Sequence, residues 1–543
     1  MTGTRGIASV IVRESRNARD AEQAFSLIAP GHVNVAGGDV LPEIGRPGDQ
    51  EIAGLGAFRQ TWAMTRNSVF LAGCLVSVCL QSATATAGDD RPPNVVVILA
   101  DDLGWADVSP NNPDTFHETP NLERLAARGV RFPQGYAAAP VCSPTRGALM
   151  TGRHPARTRT TDWFCGNRRG PLLPADYECA LPLAERTIAE CLADAGYRTF
   201  FAGKWHLGGE GFWPEDQGFE INRGGWTRGG PYGGDKYFSP YGNPRLEDGP
   251  PGEHLPDRLA RETASFITEH RDDPFLAVLS FYSVHTPLMA PEPLVEKYRA
   301  RKADLEHGPI WGTERSRKVR LVQEHAVYAG MVESMDAAIG VVLDAIDEAG
   351  LAEDTIIVFT SDNGGLSTSE GHPTSNLPFR AGKGWLYEGG IREPFIVVVP
   401  GVTPAGAVCD VPVVTQDILP TVLELCHVPA IDDRPLDGVS LVPVLRDPSA
   451  LLDRRALFWH YPHYGNQGGA PSAAIRDGDW KLVEWFEDDS VELFDLATDP
   501  GETTNLAEAR PEVADRLRAM LHGWRLGIDA AMPTANPEPV PAP

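Results

Sequence analysis

The run Asn94-Val-Val-Val-Ile-Leu99 has no polar side chain after its first residue. A strand built from it has no face to offer to water, so it must lie in a sheet covered on both sides. Further apolar runs follow at Tyr197 to Ala202, Phe275-Leu-Ala-Val-Leu-Ser-Phe281, Thr355-Ile-Ile-Val-Phe359 and Pro394-Phe-Ile-Val-Val-Val399. Between them lie segments with helical spacing. Thr187-Ile-Ala-Glu190 reads as a capping box opening a helix that ends near Gly196. Residues 257 to 271 read as helical, and a long amphipathic helix is expected from about Glu324 to Ala349, closed by Gly350. This alternation predicts an α/β fold: a doubly wound, mostly parallel sheet with helices on both faces.

The texture changes after about residue 450. Ala456-Leu-Phe-Trp-His460, Ser472-Ala-Ala-Ile-Arg476, Trp480-Lys-Leu-Val-Glu-Trp485 and Val491-Glu-Leu-Phe494 are short strand-like runs separated by turn residues. A helix around Pro511 to Trp524 follows. The expected organisation is therefore a large domain over 88–450, a smaller antiparallel sheet plus helix over 451–530, and a Pro-rich, disordered tail over 531–543.

The N-terminus reads as something other than fold. Residues 1–63 show little amphipathic order and are expected to be an over-extended gene start or a disordered leader. Met64-Thr-Arg-Asn-Ser leads into the apolar run Val69 to Leu80, and Ala85-Thr86-Ala87 precedes Gly88. That is the layout of a signal peptide over 64–87, too short an apolar run to span a bilayer comfortably. The expectation is export to the periplasm or the medium without stable membrane insertion. Leu71-Ala72-Gly73-Cys74 also has the form of a lipobox, which leaves lipid anchoring at Cys74 open.

The formal net charge of -26 argues against nucleic acid and against docking on anionic membranes. It does not argue against a small anionic substrate in a locally positive pocket. The eight cysteines show no C-x-x-C pair and no zinc spacing. In an oxidising compartment Cys165 with Cys179, and Cys409 with Cys426, are plausible pairs, though connectivity cannot be read from sequence. Cys142 stands apart.

In an open α/β sheet, ligands bind beyond the carboxyl ends of the strands. After the first run come Asp101 and Asp102; after the second, Lys204 and His206 in Gly-Lys-Trp-His-Leu-Gly208. His285 follows the third, and Asp362 and Asn363 follow the fourth in Ser-Asp-Asn-Gly364. Taken singly, each Asp is a commonplace turn or cap residue. Together, three carboxylates and an amide form an all-oxygen donor set, which suits Ca²⁺ or Mg²⁺ rather than zinc. Without a cation their convergence would be strongly repulsive. Arg146, Lys204, His206, His285 and Lys383 surround the set with positive or hydrogen-bonding groups, as a tetrahedral oxyanion such as a phosphate or sulfate ester requires.

The segment Val141-Cys-Ser-Pro-Thr-Arg-Gly-Ala-Leu-Met-Thr-Gly-Arg153 resembles the signature of the type I, formylglycine-dependent sulfatases: C-x-P-x-R followed by Thr-Gly-Arg. The resemblance extends over most of residues 94 to 510 and includes the motifs named above. It also takes in Gly382-Lys-Gly with Tyr387-Glu-Gly-Gly-Ile-Arg392, and Glu492-Leu-Phe-Asp-Leu496. The one small departure is Thr145, where the family often has Ser. The family is arylsulfatase-like and belongs with alkaline-phosphatase-like folds, in agreement with the sheet read from the apolar runs.

The resemblance implies that a formylglycine-generating enzyme converts Cys142 to Cα-formylglycine. It implies one Ca²⁺ per chain, bound by Asp101, Asp102, Asp362, Asn363 and an oxygen of the modified Cys142. One hydroxyl of the hydrated aldehyde attacks sulfur, and His285 or Lys383 assists the departing alcohol. His206 takes a proton from the second hydroxyl to expel sulfate, while Arg146 and Lys204 hold the nucleophile and the developing charge. The implied reaction is hydrolysis of sulfate monoesters.

Two other readings stay open on sequence: a phosphodiester or phosphonate monoester hydrolase of the same superfamily, and an inactive binding homologue. A sulfated carbohydrate is the leading substrate class, with aryl sulfates as surrogates. Aromatic and Gly-rich segments, residues 224–234 and 460–467, could stack on sugar faces as pocket walls; equally, they could pack the two domains together.

Overall fold

Val95, Val97 and Leu99 pack on one face of the central sheet, and Val96, Ile98 and Ala100 on the other. The computed structural model that shows this describes residues 91–164, 166–306, 308–429 and 434–542. The expected extension 1–63, the signal segment 64–87, and Cys74, Cys79 and Cys165 lie outside the described residues.

The central sheet contains β1 (Asn94–Ala100), β2 (Val130–Arg131), β3 (Arg198–Gly203) and β4 (Ile221–Arg223). It continues with β5 (Phe275–Ser280), β6 (Thr355–Ser361), β7 (Phe395–Val398) and β8 (Ala407–Val408). Their spatial order is β8-β2-β7-β6-β1-β5-β3-β4. The run from β6 through β1, β5 and β3 to β4 is parallel throughout, with Val97 paired to Val358 on one side and Val278 on the other. Only β7 runs antiparallel, against both β6 and β2. An apolar run reports burial on both faces but carries no direction, so this reversal was not legible in the sequence.

Each face is covered by helices, as the two-sided burial requires. On one face lie α2 (Leu255–Glu269) and α3 (Ala326–Glu348), through Leu259, Phe266, Met335, Ile339 and Val342. On the other lie α1 (Cys142–Thr151) and the helices Ile188–Asp194 and Ile418–Leu425. The helix at Ile188 begins as expected. Thr187 Oγ1 accepts from the Glu190 amide at 3.1 Å, and Glu190 Oε2 accepts from the Thr187 amide at 2.8 Å. Truncating a fully buried side chain such as Ile339 to alanine in this packing costs about 2–5 kcal/mol.

The smaller sheet is an antiparallel meander of β9 (Ala456–Tyr461), β10 (Ser472–Asp477), β11 (Trp480–Trp485) and β12 (Val491–Asp495). Its alternation places Ile475, Leu482 and Leu493 against Leu517 and Leu521 of α4 (Pro511–Gly527). The opposite face sends Trp459, Tyr461, Val483 and Trp485 into a shared core with Tyr136, Val141, Ala148, Trp385 and Tyr387. Within this junction Lys481 Nζ lies 2.9 Å from Glu388 Oε1 and 2.8 Å from Glu502 Oε1, all three side chains being sealed from solvent. The small sheet is thereby fastened to the residues around the start of α1 and the loop that carries Lys383.

Two expectations are corrected. Cys409 and Cys426 do not pair: both are free thiols, each buried in the core on the α1 side of the sheet. Cysteine packs there as a small apolar side chain. The tail from Ala531 is not disordered over its described length. Thr534 and Ala535 pair with Leu173 and Leu172, and Asn536 Nδ2 donates to the Gly170 carbonyl at 2.8 Å. A Pro-rich composition removes backbone donors, but among those that remain the Asn536 amide donates to the Pro171 carbonyl at 3.0 Å.

Candidate active site

The carboxyl ends of β1, β3, β5 and β6 open at one edge of the sheet, and the polar residues that follow them converge there. Two of those residues leave their strands in the left-handed region: Asp102 at φ 61° and His206 at φ 53°. A non-glycine residue held there costs about 1–3 kcal/mol, a strain that surrounding structure must impose. Gly229 allows His206 its position, since a Cβ at that glycine would lie 2.5 Å from the imidazole.

Cys142 is the first residue of α1, below the same edge. Val141 precedes it in extended conformation, and Pro144 falls in the first turn, where a missing amide is tolerated. The helix is buried along its whole length and stops at Gly152, φ 65°. Its N-terminal amides and dipole favour negative charge at Cys142. Arg146, four residues on, occupies the same helix face. Its Nη2 lies 2.7 Å from Asp362 Oδ2, and its Nη1 donates to the Lys204 carbonyl at 2.9 Å and to Ser280 Oγ at 2.6 Å. Thr145 faces away and ties α1 to the preceding loop, donating to the Ala139 carbonyl at 3.0 Å.

The remaining groups interlock. Lys204 Nζ donates to Asp101 Oδ2 at 2.6 Å, and Lys383 Nζ lies 2.6 Å from Asp102 Oδ1. Asn363 Nδ2 donates to that same Oδ1 at 2.7 Å. His285 presents Nε2 toward Asp102 Oδ2 at 3.8 Å while its Nδ1 donates to the Thr286 carbonyl at 2.7 Å. Cys142 Sγ lies 3.3 Å from His206 Nδ1, and Ser143 Oγ lies 3.2 Å from the same nitrogen. Every site residue expected from sequence therefore reaches one constellation.

Three oxygens of this constellation are buried without a hydrogen-bond partner: Asp101 Oδ1, Asp102 Oδ2 and Asn363 Oδ1. Asp101, Asp102 and Asp362 each offer an oxygen within 4.8 Å of the others. Buried acceptors are rarely left unsatisfied, and an all-oxygen set of this kind fits a hard divalent cation. The residues present thus fit a calcium-like ion.

The electrostatics agree. Burial pushes the Asp101 carboxyl well above the usual range; Lys204 opposes this, while Asp362 and Asp102 add to it. Asp102 is also buried, yet Lys383, His285 and Lys204 together hold it below the usual range. Burial pushes His206 well below the usual imidazole range, with Lys204 and Arg146 acting in the same direction, so its ring is neutral. Burial also pushes the Cys142 thiol up, against the pull of Lys204 and Lys383. An unmodified Cys142 is consequently a poor thiolate nucleophile.

A cleft of about 390 Å³ opens above Cys142. Gly229 and Tyr232 from the first aromatic segment and Asn466 and Gln467 from the second contribute to its walls. The rest of the second segment packs instead: Tyr461 donates to Asp162 Oδ1 at 3.0 Å, and His463 Nε2 lies 2.8 Å from Thr161 Oγ1. The segments thus divide between residues that line the cleft and residues that pack the small sheet against the larger domain. Sequence reasoning missed Trp163, Arg168 and Glu370, which also line the cleft. They sit in irregular loops, where no periodicity marks them.

A family model described as "Sulfatase" matches residues 93–428, and one described as "N-sulphoglucosamine sulphohydrolase, C-terminal" matches residues 381–525. A sulfatase of Formosa agariphila is 31% identical over 88% of this chain and 97% of its own length. The N-acetylgalactosamine-6-sulfatase of Mus musculus is 31% identical over 79% of this chain and 80% of its own. The crystal structure of Ps i-CgsB in complex with k-i-k-neocarrahexaose superposes with a TM-score of 0.65 at 27% identity, covering 80% of this chain and 93% of that one.

Proposed function

Since the chain belongs to the sulfatase family of the alkaline-phosphatase superfamily and is a sulfuric ester hydrolase, we propose that it cleaves sulfate monoesters of carbohydrates with a Cα-formylglycine made from Cys142 and a bound Ca²⁺. The observation that carries this reading is the position of Cys142. It begins a buried helix at the floor of the cleft, beside His206 and facing three unsatisfied ligand oxygens. Its thiol is pushed up rather than down, which suits a precursor to be modified better than a thiolate catalyst.

Asp101, Asp102, Asp362 and Asn363 would hold the ion. When bound, it supplies a Lewis acid for the sulfate and for a hydroxyl of the hydrated aldehyde. Lys204, Arg146 and Lys383 carry fixed positive charge to the position of the sulfate oxygens. Neutral His206 lies within reach of the Cys142 side chain and can accept a proton from it. His285 and Lys383, from two different loops, both border the cleft and meet the departing alcohol there. A formylglycine-generating enzyme is the implied maturation partner, and the expected signal segment implies export. The carbohydrate assignment is supported by relatives named for, or bound to, sugars.

The test is to produce the chain from Met64 with a formylglycine-generating enzyme, weigh the peptide that contains Cys142, and assay 4-nitrophenyl sulfate with and without a chelator. Activity that tracks the aldehyde fraction and vanishes on chelation establishes the reading. Full conversion without sulfatase activity, but with phosphodiester or phosphonate hydrolysis, overturns it.

A further inference from the structure

The cations nearest Cys142 are all committed. Lys204 pairs with Asp101, Lys383 with Asp102, and Arg146 with Asp362. Arg168, on the loop that follows Asp162, is different. It lines the same cleft, and among the described residues it has no ion-pair partner. Its Nε is buried with no hydrogen-bond acceptor. Trp163, on the same loop and also lining the cleft, has an indole Nε1–H that is likewise buried and unpartnered. Two residues of one cleft wall thus each carry a buried donor without an acceptor, one of them permanently charged, which proteins seldom leave unsatisfied.

Asp162, whose carboxyl feels the Arg168 charge only as the smallest of its influences, makes no ion pair with that guanidinium among the described residues. Its Oδ1 already accepts from the Tyr461 hydroxyl at 3.0 Å and from the Trp163 backbone amide at 2.9 Å. Elsewhere in the cleft the charge has the opposite sign. Glu370 Oε1 accepts from Asn466 Nδ2 at 2.6 Å and from Gln467 Nε2 at 2.7 Å, which fixes a carboxylate in that part of the wall. A second negative group on a substrate is thus repelled by the Glu370 wall and attracted by the Arg168 wall. In a chain of net charge -26, an uncommitted guanidinium inside the reactive cleft is a specific feature.

We propose that Arg168, together with the Trp163 indole N–H, is a second anion-binding position that selects sulfate esters carrying a further anionic group, a carboxylate or a second sulfate. The inference rests on the sulfatase reading and adds the substrate's charge pattern to it. A planar guanidinium matches the geometry of either group.

The experiment uses aldehyde-bearing, calcium-loaded enzyme and two sets of aryl esters. One set is the three positional isomers of sulfooxybenzoate, each beside its neutral methyl ester. The other is the three isomeric benzenediol bis-sulfates, each beside its monosulfate. In wild type, at least one dianionic isomer is expected to exceed its partner in kcat/KM by about ten-fold or more. The set that shows the preference identifies carboxylate or sulfate as the group read. Arg168→Gln is expected to abolish the ratio and Arg168→Lys to retain part of it. No preference for any dianionic isomer in wild type, or a ratio that persists in Arg168→Gln, overturns the proposal. Should Arg168→Gln not fold, the wild-type ratios and the lysine variant still decide. A wild type inactive on every ester would instead refute the sulfatase reading beneath it.

Discussion

Cys142 Sγ lies 3.3 Å from His206 Nδ1, with both side chains buried and the imidazole held neutral. The pair joins the N-terminus of α1 to the loop after β3, two segments more than sixty residues apart in sequence. A neutral base touching the modified residue is what the second half of the proposed reaction needs. Cys142→Ala, which cannot become an aldehyde, is expected to lower kcat on 4-nitrophenyl sulfate by about 10³-fold or more. His206→Gln is expected to lower it by about 10²- to 10⁴-fold. Mass spectrometry of the latter should still show the aldehyde; an unmodified peptide there would make the loss one of maturation instead.

Asp101, Asp102 and Asn363 each direct an unsatisfied oxygen into the site. A ligand that binds the native state alone raises stability by about 2.7 kcal/mol at one hundred times its dissociation constant. Calcium is therefore expected to raise the thermal midpoint and a chelator to lower it, whether or not Cys142 is modified. Asn363→Ala should shrink the calcium-dependent shift. An identical midpoint with and without calcium would refute the assignment.

Lys481 is sealed between Glu388 and Glu502 where the small sheet meets the catalytic domain. Despite burial, Lys481 and Arg392 bring Glu388 down to about 2. Removing one partner of a buried ionic cluster costs about 3–5 kcal/mol because charge is left uncompensated. Lys481→Met is expected to be destabilised by that amount in denaturant titration. A loss below ~1 kcal/mol would mean that the cluster contributes little.

His154, His254 and His460 are each pushed down to about 4 by burial. In the unfolded chain their value is about 6.5, so between these limits the unfolded state binds protons that the native state refuses. Stability therefore falls as pH drops through that window, by up to about 3 kcal/mol for each ring. Asp162, pushed up to about 7 by burial, acts in the opposite direction, since the native state keeps a proton that the unfolded chain releases. Asp336, at about 6, and Glu502, at about 7, act as Asp162 does, whereas His285, at about 4, and His463, at about 3, act with the three rings. The rings outnumber the carboxyls, which predicts a lower thermal midpoint at pH 4.5 than at pH 7. His254→Gln should flatten the slope; a midpoint that rises toward acid would contradict this account.

Much of the protein was legible in its residues. Runs such as Asn94 to Leu99 dictated a two-sided sheet, because five successive apolar side chains point to both faces of any strand they form. Polar residues just past those runs marked the site, because strand ends in such a sheet share one edge. The spacing from Cys142 to Arg146 placed both on one helix face. What the sequence left undecided depended on non-local contacts. The reversed direction of β7, the free thiols of Cys409 and Cys426 and the docking of the tail at Thr534 are set by distant partners, which no local pattern encodes. Trp163, Arg168 and Glu370 come from loops without periodicity, and only tertiary structure brings them to one cleft. The chemistry at sulfur was therefore written in local motifs, whereas the shape and charge that choose the substrate arise where loops far apart in sequence meet.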